Sequence, residues 1–250
     1  MFDGTVNPPL AFVHTLPVPC PYLTGKTERR LATDISSLRG QNSHDILAEG
    51  GFRRSQHISY RPACPGCDAC KAIRIRVEDF QWTKRFRRIR NRNRDLTKSW
   101  AKARVTEEQF RLFKYYQLSR HSGGEMALMD YVDFRGMIEN SPIETHLIEY
   151  RNPVSESLIG AILVDRQRDG YSAVYSFFDP RFPKRSMGNY MVLDLIQSAK
   201  TSGINYVYLG YWIEESSKMS YKTNFQPAEL LQSIGWTDYL SGKTPSNKQD

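Results

Sequence analysis

Residues 143–212 carry five pieces in succession: IETHLIEY (143–150), LIGAILVD (158–165), YSAVYSFF (171–178), RSMGNYMVLDLIQSAKTSG (185–203) and INYVYLGYW (204–212). The first three are short, rich in β-branched and aromatic residues, and bounded by Pro, Asn, Asp or Gly, so they predict strands. A turn containing Asp169-Gly170 joins the second to the third. The fourth piece has the spacing of a helix. Met187, Met191 and Leu195, with Val192 and Ile196, fall on one face, Ser186 stands at the N-cap position, and Gly203 ends it. The fifth is a strongly apolar strand. The resulting order is β-β-β-α-β.

Working outward, Thr106 followed by Gln109 fits a capping box for a helix over EEQFRLFKYYQLSRH, and a second helix is expected around residues 129–138. Residues 81–96 are helix-compatible and basic. The first third alternates short apolar pieces with Pro, Gly and Cys, which reads as a β-rich module tied by its cysteines. The β-β-β-α-β order, with a basic loop opening a glycine-bearing helix, resembles the core of the GNAT-type N-acetyltransferase fold. The Arg/Gln-x-x-Gly-x-Gly/Ala loop of that fold is present as Arg185-Ser-Met-Gly188-Asn-Tyr190, with Tyr where a small residue belongs. The expected class is therefore α+β: an N-terminal cysteine-bearing module joined to a GNAT-type mixed sheet flanked by helices. The expected divisions are 1–80 for the cysteine module, 81–104 for a basic segment, 105–240 for the acetyltransferase-like domain and 241–250 for a disordered tail.

The chain is 40% hydrophobic, enough for a sizeable core, and carries a net charge of +8. That charge is local. Residues 84–104 hold ten Lys or Arg against one acid, Asp95, so the remainder is near neutrality. A patch of one sign implies an anionic partner. Phe86 and Trp100 lie within the run and Trp82 precedes it, and rings among cations suit nucleic acid, where phosphates are neutralised and unpaired bases stacked. A solvated helix face is the competing reading, but such faces normally mix signs. The N-terminus lacks the pattern of a signal peptide and no apolar run approaches a membrane span, so a cytoplasmic protein is expected.

Three of the four cysteines, Cys64, Cys67 and Cys70, fall within seven positions, with Pro65 and Gly66 between the first two. This turn spacing lets thiolates converge on one ion, with Cys20 as a fourth ligand, and suits zinc or an iron–sulfur cluster. Small buried residues or reactive thiols are the alternative. Arg53 and Arg54, before this triplet, are candidates for an acidic ligand. Tyr211, Trp212, Lys218, Tyr221 and Lys222 lie at or after a predicted strand end, where sites form in α/β sheets. Asp179 is placed to accept a proton or to cap an Asp-Pro turn. No Walker loop and no Ser-His-Asp or Cys-His arrangement stands out.

The segments CPYLTGKTERRLAT, GFRRSQHISYRPACPGCDACKAIRI, SFFDPRFPKRSMGNYMVLDLI and YLGYWIEESSKMSYKTNFQPAELL resemble the aminoacyl-tRNA–protein transferases of the N-degron pathway, and most of all their short bacterial branch, aspartate/glutamate leucyltransferase. They run in order from Cys20 to Leu231. In the eukaryotic arginyl branch the first cysteine belongs to a C-x-x-C, whereas here Leu23 stands three residues after Cys20.

The resemblance implies transfer of leucine from leucyl-tRNA to a protein beginning with Asp or Glu. The donor is an activated ester, so no ATP site and no further cofactor is required for transfer. On this reading Lys84, Arg85, Arg87, Arg88, Arg90, Arg92, Arg94 and Arg185 hold the tRNA. One or more of Arg53, Arg54, Lys218 and Lys222 hold the acceptor carboxylate. Tyr211, Trp212 and Tyr221 shape the pocket around the ester, and Asp179 accepts the proton. An arginyl transferase of the same family, an acetyl-CoA-dependent acetyltransferase and a non-catalytic, metal-containing RNA-binding protein are the alternatives.

Overall fold

The computed structural model describes residues 9–37 and 39–240. Its N-terminal part holds β1 (Val13–His14), β2 (Val18–Pro19), β3 (Thr27–Glu28), β4 (Arg30–Asp34), α1 (Gly40–Glu49), β5 (Arg53–Ser55) and β6 (Ile58–Pro62). The middle holds β7 (Lys71–Arg76), α2 (Lys84–Arg92), β8 (Thr97–Lys102), α3 (Glu107–Arg120) and α4 (Tyr131–Glu139). The C-terminal part holds β9 (Thr145–Arg151), β10 (Leu158–Arg166), β11 (Gly170–Phe178), α5 (Met187–Thr201), β12 (Tyr206–Trp212), β13 (Ala228–Gln232) and β14 (Gly235–Asp238).

The β-β-β-α-β core forms as expected. β9, β10 and β11 make an antiparallel meander, and α5 carries the chain over to β12, which pairs parallel to β11. The full sheet has eight strands in the order β14-β13-β7-β12-β11-β10-β9-β8. Helices cover both faces of its centre, which is why β10 reads as an unbroken apolar run and is buried throughout all but its last residue. On one face α5 buries Met187, Met191, Leu195 and Ile196, and α2 adds Phe86 and Ile89. On the other, Leu112 and Phe113 of α3 and Phe134 and Ile138 of α4 pack on Leu147, Ala161 and Phe177. The capping box at Thr106 and Gln109 is present in both directions.

Three expectations change. Residues 71–76 do not belong to a separate N-terminal module, because β7 lies inside the large sheet between β13 and β12. The helix expected within residues 81–96 is shorter: α2 spans Lys84–Arg92, and the rest of the basic segment continues into β8, the exposed edge strand beside β9. Ser186 precedes α5 but makes no side-chain cap, because its backbone is left-handed (φ 52°). The proposed tail at 241–250 lies outside the described residues. Among the described residues no helix is long and apolar enough to cross a membrane.

The parallel pair β11–β12 positions the site. It is joined only where Gly170–Ser172 meet Tyr206–Tyr208, and beyond that point the strands part. On its other side β12 stays with β7, through a bulge between Tyr208 and Gly210, where Gly210 adopts φ +81°. The four-stranded sheet β1-β4-β6-β5 closes against this opening. Its β5 contributes Arg54, 5% exposed, whose guanidinium meets Asp165 of β10 at 2.6 and 2.8 Å. Thr145 donates a further bond to Asp165 at 2.7 Å. Removing one member of such a pair strands the other charge. Arg54→Met should therefore lower the unfolding free energy by about 3–5 kcal/mol in a denaturant titration, and tRNA affinity measured on the folded fraction should not change.

Candidate active site

Where β11 and β12 part, a cleft of ≈ 440 Å³ opens. Its apolar wall is formed by Ile162, Val192 and Leu209, and its polar wall by Arg53, Lys218, Tyr221 and Lys222. Gly188 and Asn189, in the first turn of α5, also line it. No Asp or Glu is among the lining residues. The cleft is thus a positively charged recess with one greasy side.

Arg53 reaches in from β5. Its Nη2 donates to the carbonyls of Ala173 (3.2 Å) and Val174 (3.4 Å) on the part of β11 that has lost its parallel partner. The guanidinium lies against Gly210, where a Cβ would overlap it. Lys222 comes from the short turn Ser220–Asn224 after β12. It is 8% exposed, and its Nζ donates to the Tyr211 carbonyl at 2.6 Å. Burial, and then the nearby Arg53 charge, pull its pKa down to about 7. Lys218 and Tyr221 stand more exposed at the rim.

Of the four cations proposed to read a carboxylate, the structure brings Arg53, Lys218 and Lys222 together and sets Arg54 apart, in its ion pair with Asp165. Tyr221 lines the cleft, but Tyr211 and Trp212 do not. The Tyr211 hydroxyl donates to the carbonyls of Gly51 (2.9 Å) and Tyr60 (3.1 Å), tying β12 to the small module, and burial raises its pKa. Trp212 is core, edge-on to Tyr239. Asp179 is buried and held by Arg181 through its Oδ2 at 2.6 Å, and it also accepts the Arg181 amide, so it caps the Asp-Pro turn.

Tyr116 and His121 from the end of α3, and Tyr175 from β11, line the cleft and were not legible as site residues. Desolvation, then Lys218 and Arg120, push the His121 pKa down, and its Nε2 lies 3.4 Å from the Tyr116 hydroxyl. The only local signal was the HSGG break after α3.

The basic run forms α2, capped by Thr83. Phe86 and Ile89 face the core, stacking and packing near Phe225 and α5, while Lys84, Arg85, Arg87 and Arg88 face solvent. Among the described residues none of these four has a carboxylate within ion-pair distance. Arg90 lies over the Trp82 ring at 5.2 Å, and Arg92 donates to the Lys184 carbonyl. Arg185 pairs with Asp95 at 2.7 Å, and Asn93 donates to the Arg185 carbonyl at 2.8 Å. These bonds fix α2 against the loop that leads to Gly188 in the cleft. The helix with the exposed cations is thereby held beside the loop that leads to the cleft.

The four cysteines are half-buried and free. The Cys64 thiol receives the Arg29 amide at 3.4 Å. Burial, then Cys64, Cys20 and Cys67, push Cys70 up to about 12, so the four thiols share one neighbourhood. They are not closed onto a common centre: among the described residues no three His, Cys, Asp or Glu side chains are arranged to hold a metal ion.

Residues 18–88 match the family model described as arginine-tRNA-protein transferase, N terminus, and residues 108–232 match its C-terminus model. An aspartate/glutamate leucyltransferase of Paramagnetospirillum magneticum is 49% identical, over 94% of this chain and 96% of that one. Its counterpart in Rhodospirillum rubrum is 46% identical over the same shares. The crystal structure of FemX has a TM-score of 0.51 over 92% of this chain and 88% of that one, at 9% identity, a likeness of fold alone. The chain belongs to the arginine-tRNA-protein transferase family, in the branch of the aspartate/glutamate leucyltransferases.

Proposed function

We propose that this protein transfers leucine from leucyl-tRNA to the N-terminal Asp or Glu of acceptor proteins in the cytoplasm, creating a destabilising N-terminus for N-degron proteolysis. One observation carries the reading: the cleft, which no Asp or Glu lines among the described residues, gathers Arg53, Lys218 and Lys222 beyond a loop tied to the exposed cations of α2. Those cations suit the phosphates of tRNA, and the cleft suits the acceptor end together with an acidic residue. The apolar wall of Ile162, Val192 and Leu209 suits a leucyl side chain. An arginyl donor would bring a guanidinium to a recess without a carboxylate, which favours leucine over arginine. A non-catalytic RNA-binding protein would leave the cleft without a purpose.

The reaction needs positioning more than a powerful catalyst. The ester is already activated, and the α-amine of the acceptor, with a pKa of about 7.7–8.0, is partly neutral near pH 7. Arg53, anchored on β11, and Lys218, exposed at the rim, hold the acceptor's side-chain carboxylate. Their different reach accommodates both Asp and Glu. The first-turn amides of α5, uncapped by any side chain, open on the cleft at Gly188 and Asn189 and donate to the tetrahedral oxyanion.

The cysteines are a separate proposal. Four sulfurs in one neighbourhood are the donor type that holds zinc or an iron–sulfur cluster, and their side chains would have to close onto a common centre to bind it. Such a centre would be structural, held by Cys20, Cys64, Cys67 and Cys70 in the small module, and the transfer is derived without it.

Three outcomes follow from this reading. Lys218→Ala should cut transfer to Asp- and Glu-peptides by roughly 10- to 150-fold, the loss of one charge-assisted bond. Transfer to Asn- and Gln-peptides should change less, so the ratio of the two rates in a radiolabelled leucyl-tRNA assay decides the matter. Charge reversal at Lys84, Arg87 and Arg88 should weaken tRNA binding and flatten its log–log salt dependence by about 0.7–0.9 per lost phosphate contact, leaving peptide binding unchanged. Anaerobically purified protein should contain zinc, or iron with sulfide, that Cys67→Ser loses; active, folded protein without any of the three would remove the cluster from the proposal.

A further inference from the structure

We infer that Lys222 is the proton shuttle of the transfer reaction, its neutral amine taking a proton from the attacking nitrogen and returning it to the ribose oxygen that leaves. The inference rests on the proposed function and assigns a chemical role to one residue of that cleft.

The geometry argues against the ordinary use of a buried lysine, which is to pair with a carboxylate. Lys222 is buried, yet the charged side chain that acts on it is another cation, Arg53 of β5. Its Nζ donates to a carbonyl, that of Tyr211 on β12. The other titratable groups facing the cleft are Lys218 and Tyr221 on the same loop, Tyr116 and His121 from α3, and Tyr175 from β11. The Tyr211 hydroxyl is turned away to Gly51 and Tyr60. Among the described residues no carboxylate lines the cleft. A buried ammonium beside a guanidinium and without a counter-ion is unfavourable, and it sheds its proton readily. The neutral amine can still donate one N–H to the Tyr211 carbonyl, and its lone pair stays free to accept. The fall of its pKa to about 7 agrees with this. Asp179, the other candidate base, is already committed to Arg181.

The steps balance. The acceptor's neutral α-amine attacks the ester carbon and a C–N bond forms, giving an oxyanion and a nitrogen with a positive charge. One proton passes from that nitrogen to Nζ of Lys222. The oxyanion collapses, the bond from carbon to the ribose 3′ oxygen breaks, and that oxygen takes the proton from Nζ. The products are an amide and tRNA with a free 3′ hydroxyl, and Lys222 is neutral again. A group that titrates near the working pH is well suited to accept in one step and donate in the next.

The shuttle works only from the deprotonated amine, so the rate should rise with pH through about 7 as Lys222 loses its proton. The test is the single-turnover rate of leucine transfer against pH, at saturating acceptor, for two Asp-peptides whose α-amines differ in pKa. The wild type should show one inflexion near pH 7 that stays in place and a second that moves with the acceptor. Lys222→Arg, which keeps the charge, and Lys222→Met, which keeps the length, should each lose roughly 10²–10⁴-fold in rate and lose the fixed inflexion. Binding of leucyl-tRNA by filter retention should persist. Trimethylamine, which accepts a proton but cannot become an amide, should partly restore Lys222→Ala.

A wild type with only the moving inflexion overturns the shuttle, whatever the variants do. So does a variant that binds leucyl-tRNA and retains the fixed inflexion. A wild type that transfers no leucine at all overturns the proposed function itself.

Discussion

The architecture turns on a guanidinium set where two parallel strands part. β11 and β12 pair for only three residues, and past that point the carbonyls of Ala173 and Val174 need other donors. Backbone groups left unpaired away from water are costly. Arg53 supplies both bonds from a different sheet, and it does so with a charged donor. The opening is therefore stabilised as an opening and does not collapse into continued pairing. Everything assigned to the site follows from that gap: the apolar wall of β10 and α5 is exposed through it, and the turn carrying Lys222 folds into it.

Electrostatics then separates surface from recess. On α2 the cations are exposed and screened by solvent, so their value lies in long-range attraction and in displaced counterions. In the cleft Lys222 is desolvated, and there a neighbouring cation changes its chemistry. Burial, and then the charge of Arg53, shift Lys222 towards neutrality. The loop between Asp179 and α5 links the two regions. Arg185 and Asn93 lock it to the end of α2, while Asp179 and Arg181 stiffen its start. Under the proposed function, a long polyanion laid on α2 would thereby be directed to the first turn of α5.

The sequence disclosed most of what local periodicity can carry. The meander, α5 with its buried methionines, the box at Thr106 and the exposed polycation were all legible, because each depends on neighbours a few residues away. β7 was misplaced because KAIRIR follows the cysteine turn directly, and nothing local says that a strand will cross into another sheet. The arginines show the limit most clearly. Arg53 and Arg54 are adjacent and chemically identical, yet a strand sends them to opposite faces, one into the cleft and the other to Asp165. Tyr116 and Tyr175 could not be found at all, since they meet only after α3 has packed on β11.

The approach of Arg53 to Gly210 also bears on how such a chain can be rearranged. The glycine leaves room for the guanidinium, and its positive φ makes the bulge that leaves β11 free to accept the arginine's bonds. One residue lies on the small sheet and the other in the large one, so the lock is split between the two. Neither sheet carries the complete opening alone, and the acetyltransferase-like half is not an interchangeable cassette. A chimera that joins this small module to another large sheet inherits a functional recess only where a glycine already waits for the arginine.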